Sequence, residues 1–310
     1  MAVNASRQSL EIAVLGPGGV GGLLAGLMAR GGDSVTVLAS EATSEAIADQ
    51  GLNIESERFG SFTTAVNTAT RLDHRVDACL VTVKATQLRE SLRRLPADAL
   101  GRGLVIPFLN GIDHVELLRE VYPPESVVAA TIRVETTRLG PGSIRHTSPF
   151  ALVEIAPRPE SREEVELLAA HMSATGLDVR IRDDELVMLW DKFALLAPLA
   201  LLTTHERGNV GAVRTARRAD ATALYGEYAE VARAEGVPVD PEAMMRLLDS
   251  MPESMETSMQ RDQAAGRPLE LDALGGGLLR RAARAGIAAP VTGRLVADLE
   301  ARTAILHPSS

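Results

Sequence analysis

Gly16-Pro17-Gly18-Gly19-Val20-Gly21 is the stretch that decides the fold. It spells G-x-G-x-x-G. An apolar, β-branched run, Glu11–Leu15, precedes it, and a helical pattern, Val20–Arg30, follows and closes at Gly31-Gly32. A strand, a glycine turn and a helix in that order predict a dinucleotide-binding βαβ unit. Gly16 permits the tight turn, Gly18 lets the backbone approach a pyrophosphate, and Gly21 lets the helix pack close to the strand. Pro17, Gly19 and Val20 complete the loop. The helix N-terminus offers N–H groups and the positive dipole end to the phosphates. No Gly-Lys-Ser/Thr follows the loop, which argues against a P-loop.

Outward from that turn, strands are predicted at Ser34–Leu38, Asp77–Val83, Gly103–Phe108 and Val127–Thr136. Helices are predicted at Glu41–Gln50, Ala85–Leu95 and His114–Val121, with Leu52–Ile54 and Phe62–Val66 pairing as an excursion. Pro141-Gly142 marks a turn between strand-like segments; Ala151–Ile155, helix Ser161–Thr175 and strand Asp178–Arg182 complete this half. The alternation predicts a doubly wound parallel sheet of α/β class. After Asp183-Asp184 only helical patterns remain: Glu185–Leu202, Val213–Glu235, Glu242–Leu248, Leu271–Ala285 and Thr292–Thr303. The expected organisation is a dinucleotide-binding domain over 1–183 and an all-helical domain over 184–310.

Composition fits two soluble domains. The chain has 310 residues, 45% apolar and 24% charged, and single cores stop growing near about 250–300 residues. A net charge of −9 argues against nucleic-acid or anionic-membrane partners, which need a basic face. One cysteine, Cys79, allows no intramolecular disulfide, so a reducing cytoplasm fits. Met1–Ser9 lacks the apolar core of a signal peptide. The longest apolar run, Phe193–Leu202, falls short of the about 20 residues that span a bilayer. The six histidines show no H-x-x-x-H spacing, so no metal is expected. His205, and the alternating Arg133 and Glu135, are read as a cap and as partners of neighbouring charges. Pro308-Ser309-Ser310 reads as a frayed tail, and Leu278–Ala285 as a candidate dimer surface.

Of the 32 Lys and Arg residues only two are lysine, Lys84 and Lys192. Arginine is never deprotonated in a protein, whereas an ammonium can release its proton. In an arginine-rich chain a retained lysine is either chance or a position that arginine cannot serve. Lys84 follows strand Leu80–Val83, in Val83-Lys84-Ala85-Thr86-Gln87, and Asn110-Gly111 follows Val105–Phe108. Both lie beyond carboxyl ends of predicted strands, where open α/β sheets bind ligands. The second strand ends Leu38-Ala39-Ser40-Glu41, with no acid at the strand end for a ribose 2′-hydroxyl and no arginine for a 2′-phosphate. Ser40, Thr43 and Ser44 could donate to a phosphate, while Glu41 would repel one unless it points away.

The order G-x-G-x-x-G, V-K-A-x-Q, N-G, then Trp190-Asp191-Lys192-Phe193 opening the helical half, resembles the ketopantoate reductase family. Ser258-Met259-Gln260-Arg261-Asp262, Glu270-Leu271-Asp272 and Gly286-Ile287 ahead of Pro290 extend the resemblance over roughly 11–303. It implies a Rossmann-type domain followed by a helical one, with the active site between them. It implies an NADPH-dependent reductase of a small 2-keto acid, typically ketopantoate to pantoate in pantothenate and coenzyme A biosynthesis. Lys192 would be the general acid. Glu270 would contact the bound ligands near the reacting centre, Ser258 and Asn110 would help bind substrate, and Lys84 would line the cofactor side with Asn110 and Ser40. Both lysines thus fall on family motif positions.

Three positions depart from the family pattern. Leu196, Ala200 and Val210 stand where ketopantoate-type members carry asparagine. Positions i, i+4 and i+8 share a helix face, so Lys192 would head an apolar stripe. The stripe is either core packing or the mark of a less polar carbonyl substrate. Ser40 replaces an arginine that many relatives carry, which leaves NADP against NAD open. A non-catalytic, dinucleotide-binding regulator is a further alternative, against which Lys192 argues.

Overall fold

The structure is a computed structural model and describes residues 8–306. Most of Met1–Ser9 and the Pro308–Ser310 tail lie outside the described residues. Two compact units divide the chain: one comprises the residues up to Leu109 together with His114–Glu185, the other Asn110–Asp113 together with the chain from Leu186 onward.

The first unit is built on a parallel sheet. Strands β1 (Glu11–Leu15), β2 (Ser34–Leu38), β3 (Leu52–Ser56), β4 (Phe62–Thr64), β5 (Asn67–Ala69), β6 (Ala78–Val81) and β7 (Leu104–Pro107) come first. Five of them form a sheet in the order β5-β2-β1-β6-β7, with every pairing parallel. The central strands are apolar throughout because both faces are covered: Ile12, Val14, Val37, Leu80 and Ile106 are buried in one core with Leu23, Leu24 and Leu27 of the helix Gly19–Arg30. A fully buried side chain of this kind contributes roughly 1.5–3 kcal/mol.

The excursion is larger than the sequence suggests. β3 and β4 pair antiparallel and join β9 (Thr136–Gly140) and β10 (Ser143–His146) in a second sheet, β4-β3-β10-β9. Strand β8 (Ala129–Arg133) instead pairs with β11 (Leu152–Ala156) and β12 (Asp178–Ile181) in a third. The predicted single strand Val127–Thr136 is therefore two strands serving different sheets. Arg133 on β8 pairs with Glu154 on β11, which also pairs with Arg182 at 2.5 Å.

Among its described residues the second unit is helical: Glu185–Glu206, Val210–Ala216, Arg218–Ala234, Pro241–Ser250, Ser258–Ala264, a π-helical turn Asp272–Gly276 running into Gly277–Ala285, and Pro290–Leu306. The predicted helix Val213–Glu235 is interrupted at Arg217, whose φ of −126° leaves the helical region. The helix Glu185–Glu206, at 22 residues, is long and apolar enough to cross a membrane by composition alone, yet 67% of that window is buried. It passes the length test as a core helix does, and it outruns the apolar stretch seen in the sequence. Leu278 and Ala282 are 0% and 2% exposed. The candidate dimer surface Leu278–Ala285 is corrected accordingly, because its apolar face is spent inside the chain.

Candidate active site

The glycine turn has the shape that its sequence implies. Gly16 has φ +91°, a conformation that disfavours any side chain. A Cβ there would lie 2.5 Å from Val83 Cγ1. A Cβ on Gly21 would overlap Thr82 Oγ1 and the Gly16 carbonyl. Thr82 ties the turn together, its hydroxyl donating to the Leu15 and Gly16 carbonyls at 3.0 and 2.8 Å. Gly18 is different: its φ is −74° and nothing lies within 4 Å of a Cβ placed on it. Gly16 and Gly21 thus satisfy internal packing, while Gly18 faces open space, where a pyrophosphate can meet bare backbone. The residues present fit a dinucleotide. Pro17 is buried, and Gly19 and Val20 open the helix.

The Gly16 N–H donates to Leu38 O at 3.1 Å, so the end of β2 adjoins the loop. Ser40, at the N-cap of the helix Glu41–Gln50, is exposed, and its hydroxyl donates to Thr43 Oγ1 at 3.1 Å. Lys84 is half-buried and starts the turn Ala85–Gln87 after β6.

Asn110 is the last residue before a glycine that must be glycine. Gly111 has φ +87°, and a Cβ on it would be 2.6 Å from Ala273 O in the π-helical turn. That close approach seats the Asn110 loop in the second unit. Asn110 Nδ2 donates to Glu270 Oε2 at 3.1 Å. Glu270, 6% exposed, directly precedes the π-bearing helix; π-turns of this sort recur at functional sites.

An ionic chain centred on the buried Arg281 continues from the same loop. Asp113 pairs with Arg281 at 3.1 Å, Arg281 donates to both Glu235 oxygens at 2.7 and 2.9 Å, and Trp190 Nε1 donates to Glu235 at 2.9 Å. Trp190 packs edge-on against Phe193 (5.4 Å between centroids), and Phe193 against Tyr228 (5.3 Å). These contacts fix the turn of helix Glu185–Glu206 that carries Lys192, which is 9% exposed. An ammonium that deep is costly unless compensated. Asp113, Glu235 and Arg281 escaped the sequence reading. Their only hint was Asp113 three residues after Asn110, since pairing across such sequence distances leaves no local pattern.

Ser258 is exposed at the start of the helix Ser258–Ala264. The buried hydroxyl there is that of Thr257, the N-cap, which accepts from Gln260 N at 3.3 Å and hydrogen-bonds Thr203 Oγ1 at 2.8 Å. The three apolar departures separate. Ala200 is 2% and Val210 0% exposed, so both are core, while Leu196 is only half-buried. His205, 6% exposed at the end of its helix, has its Nε2 3.1 Å from Oδ2 of Asp298 on the helix Pro290–Leu306. No group of three metal-ligating side chains occurs among the described residues.

Comparison with known proteins identifies the family. Residues 12–159 match the family described as ketopantoate reductase PanE/ApbA, and residues 186–303 match its C-terminal counterpart. The chain is 31% identical over 300 residues to the uncharacterized oxidoreductase YkpB of Bacillus subtilis (94% of this chain, 98% of that protein). It is 30% identical over 305 residues to the 2-dehydropantoate 2-reductase of Mycobacterium tuberculosis (94% and 97%). The crystal structure of a ketopantoate reductase from Ralstonia eutropha JMP134 superposes with a TM-score of 0.83 at 29% identity, covering 94% of this chain and 97% of that one. A D-mandelate dehydrogenase bound to NADH and anilino(oxo)acetate shares the fold, with a TM-score of 0.87 at 21% identity and coverage of 95% and 99%. Two family models over nearly the whole chain, on a glycine cradle and an Asn110–Glu270 pair, place this protein in the ketopantoate reductase family of oxidoreductases.

Proposed function

We propose that the chain reduces the ketone of a small 2-keto acid with NADPH, as ketopantoate is reduced to pantoate on the route to coenzyme A. The observation that carries this reading is Lys192, one of two lysines in an arginine-rich chain, held 9% exposed in the second unit. The nicotinamide, when bound, supplies the hydride that reaches the carbonyl carbon. Lys192 supplies the matching proton. Its ammonium stabilises charge developing on the carbonyl oxygen and gives that oxygen a proton, leaving a 2-hydroxy acid and a neutral amine that reprotonates from water. Positioned acids contribute about 10²–10⁴-fold. Asn110 and Glu270 contact the bound ligands, and the exposed Ser258 hydroxyl is available to the substrate. Lys84 serves the cofactor.

A second reading keeps the reaction and changes the substrate. Leu196, one turn from Lys192 and half-buried, presents a methyl-rich surface where an asparagine would hold a polar group, which favours a 2-keto acid with a more apolar side chain. Ala200 and Val210, being core, do not bear on it. Cofactor oxidation with ketopantoate, and with 2-keto acids bearing branched aliphatic or aromatic side chains, tests both readings. The first predicts the highest kcat/KM for ketopantoate, the second for an apolar analogue. Turnover of none of them with either nicotinamide would reject the reductase assignment and return the chain to a non-catalytic dinucleotide binder.

A further inference from the structure

We infer that Arg94 sets the preference for the phosphorylated dinucleotide, doing the work that an arginine at position 40 would otherwise do. The inference rests on the dinucleotide reading of the glycine turn and specifies which residue meets the adenosine 2′-phosphate.

Position 40 is serine and position 41 is glutamate, so the chain segment after β2 brings no cation of its own. The structure brings one from elsewhere. Arg94, half-buried at the end of the short helical turns after β6, donates from one terminal nitrogen, Nη1, to Ala39 O at 2.7 Å and Thr70 O at 2.9 Å. Those carbonyls follow the carboxyl ends of β2 and β5, which pair in parallel. The neighbouring carbonyl, Leu38 O, accepts from Gly16 N. The guanidinium is therefore bolted to the strand end that adjoins the pyrophosphate loop. In a βαβ dinucleotide site this strand end faces the ribose, and a nearby arginine there accommodates a 2′-phosphate.

The fork geometry suits this task. Two carbonyls occupy Nη1, and among the described residues Nη2 and Nε make no hydrogen bond. A guanidinium held by one nitrogen is oriented without being used up, and the remaining edge can meet a phosphate in two parallel bonds. Its rotamer entropy is already spent on the carbonyls, which lowers the cost of binding. Ser40 Oγ, exposed beside Ala39, adds a hydroxyl.

The test measures binding without turnover. Calorimetry on the full chain compares 2′,5′-ADP with 5′-AMP, for the wild type, Arg94→Gln and Arg94→Lys. The wild type is expected to favour 2′,5′-ADP by about tenfold or more, the scale of a charge-assisted pair. Arg94→Gln should erase most of that preference while 5′-AMP binds within about twofold of wild type, and Arg94→Lys should keep part of it. The NADPH/NADH ratio of kcat/KM should fall in parallel. Equal loss of both nucleotides in Arg94→Gln would make Arg94 a structural bolt alone and overturn the inference. So would an unchanged preference, or a wild type that binds both equally. If the wild type binds neither nucleotide, the dinucleotide reading itself fails and takes the inference with it.

Discussion

Asn110 and Glu270, 160 residues apart in the chain, meet at 3.1 Å, the amide donating to a carboxylate that is 6% exposed. Removing that donor with Asn110→Ala is expected to lower kcat/KM by about 10–100-fold, the scale of a hydrogen bond to a charged group. Steady-state kinetics alongside a melting curve check this. An unchanged kcat/KM would separate the pair from the chemistry.

The glycine turn separates a folding requirement from a binding one. Gly18→Ala should fold normally, because φ is −74° and the space is open, yet lose dinucleotide affinity by about tenfold or more as the methyl holds the pyrophosphate off the backbone. Gly21→Ala should lower stability as well, since its methyl would overlap Thr82 and Gly16 O. Calorimetric titration with NADPH and thermal melting distinguish the two.

Much of this architecture was legible locally. The bounds of β1, β2 and the helices Glu41–Gln50 and His114–Val121 coincide with the sequence reading, because the apolar or amphipathic patterns there stop at Gly16, Ser40, Gly51 and Pro123-Pro124. Elements whose limits depend on tertiary partners were not legible. The run Val127–Thr136 is unbroken in character, but its two ends pair with different sheets. The predicted helix Ala85–Leu95 is three short turns that halt at Pro96, which disfavours helix in the residue before it. The helix Ser258–Ala264 went unseen because its cap is Thr257 and its only strongly buried apolar side chain is Met259. At the site, the glycines and lysines announced themselves by motif. Arg94, Arg281 and Glu235 did not, since an arginine among thirty-two basic residues becomes specific only through what it touches.

The chain Asp113–Arg281–Glu235–Trp190 ties the loop after Asn110 to the helix that carries Lys192. Arg281 is 5% exposed, and removing it takes the shared cation from the half-buried Asp113 and Glu235 carboxylates. Arg281→Ala should cost about 1–3 kcal/mol, read as earlier denaturant unfolding of Trp190 fluorescence, the chain's one tryptophan. A loss below about 1 kcal/mol would show that the network adds little.

Glu154 gives the first unit an acid-sensitive joint. Burial pushes its carboxyl upward, but the hydrogen bond from Arg182 and the charge of Arg133 prevail and hold it below the ordinary carboxylate range. A depressed folded-state pKa contributes stability that is full above the unfolded value, about 4.3, and is lost as pH falls through the folded value. Glu154→Gln should therefore be less stable than wild type at neutral pH by about 1–3 kcal/mol, with the gap closing in acid. A gap independent of pH would contradict this.

Cys79 on β6 is fully buried, and burial pushes its thiol up to about 12. Thiolate reagents should leave the native chain untouched and label it only on unfolding, as mass spectrometry would record. Rapid labelling of the native chain would show that the central sheet opens.

The central claim is that Lys192 donates a proton. Single-turnover reduction of the best 2-keto acid by NADPH, compared between wild type and Lys192→Arg, addresses it directly, because arginine keeps the charge and cannot release a proton. The account predicts a fall of about 10²–10⁴-fold in the chemical step with NADPH affinity within a few-fold of wild type. An arginine variant that reduces substrate at close to the wild-type rate would contradict it.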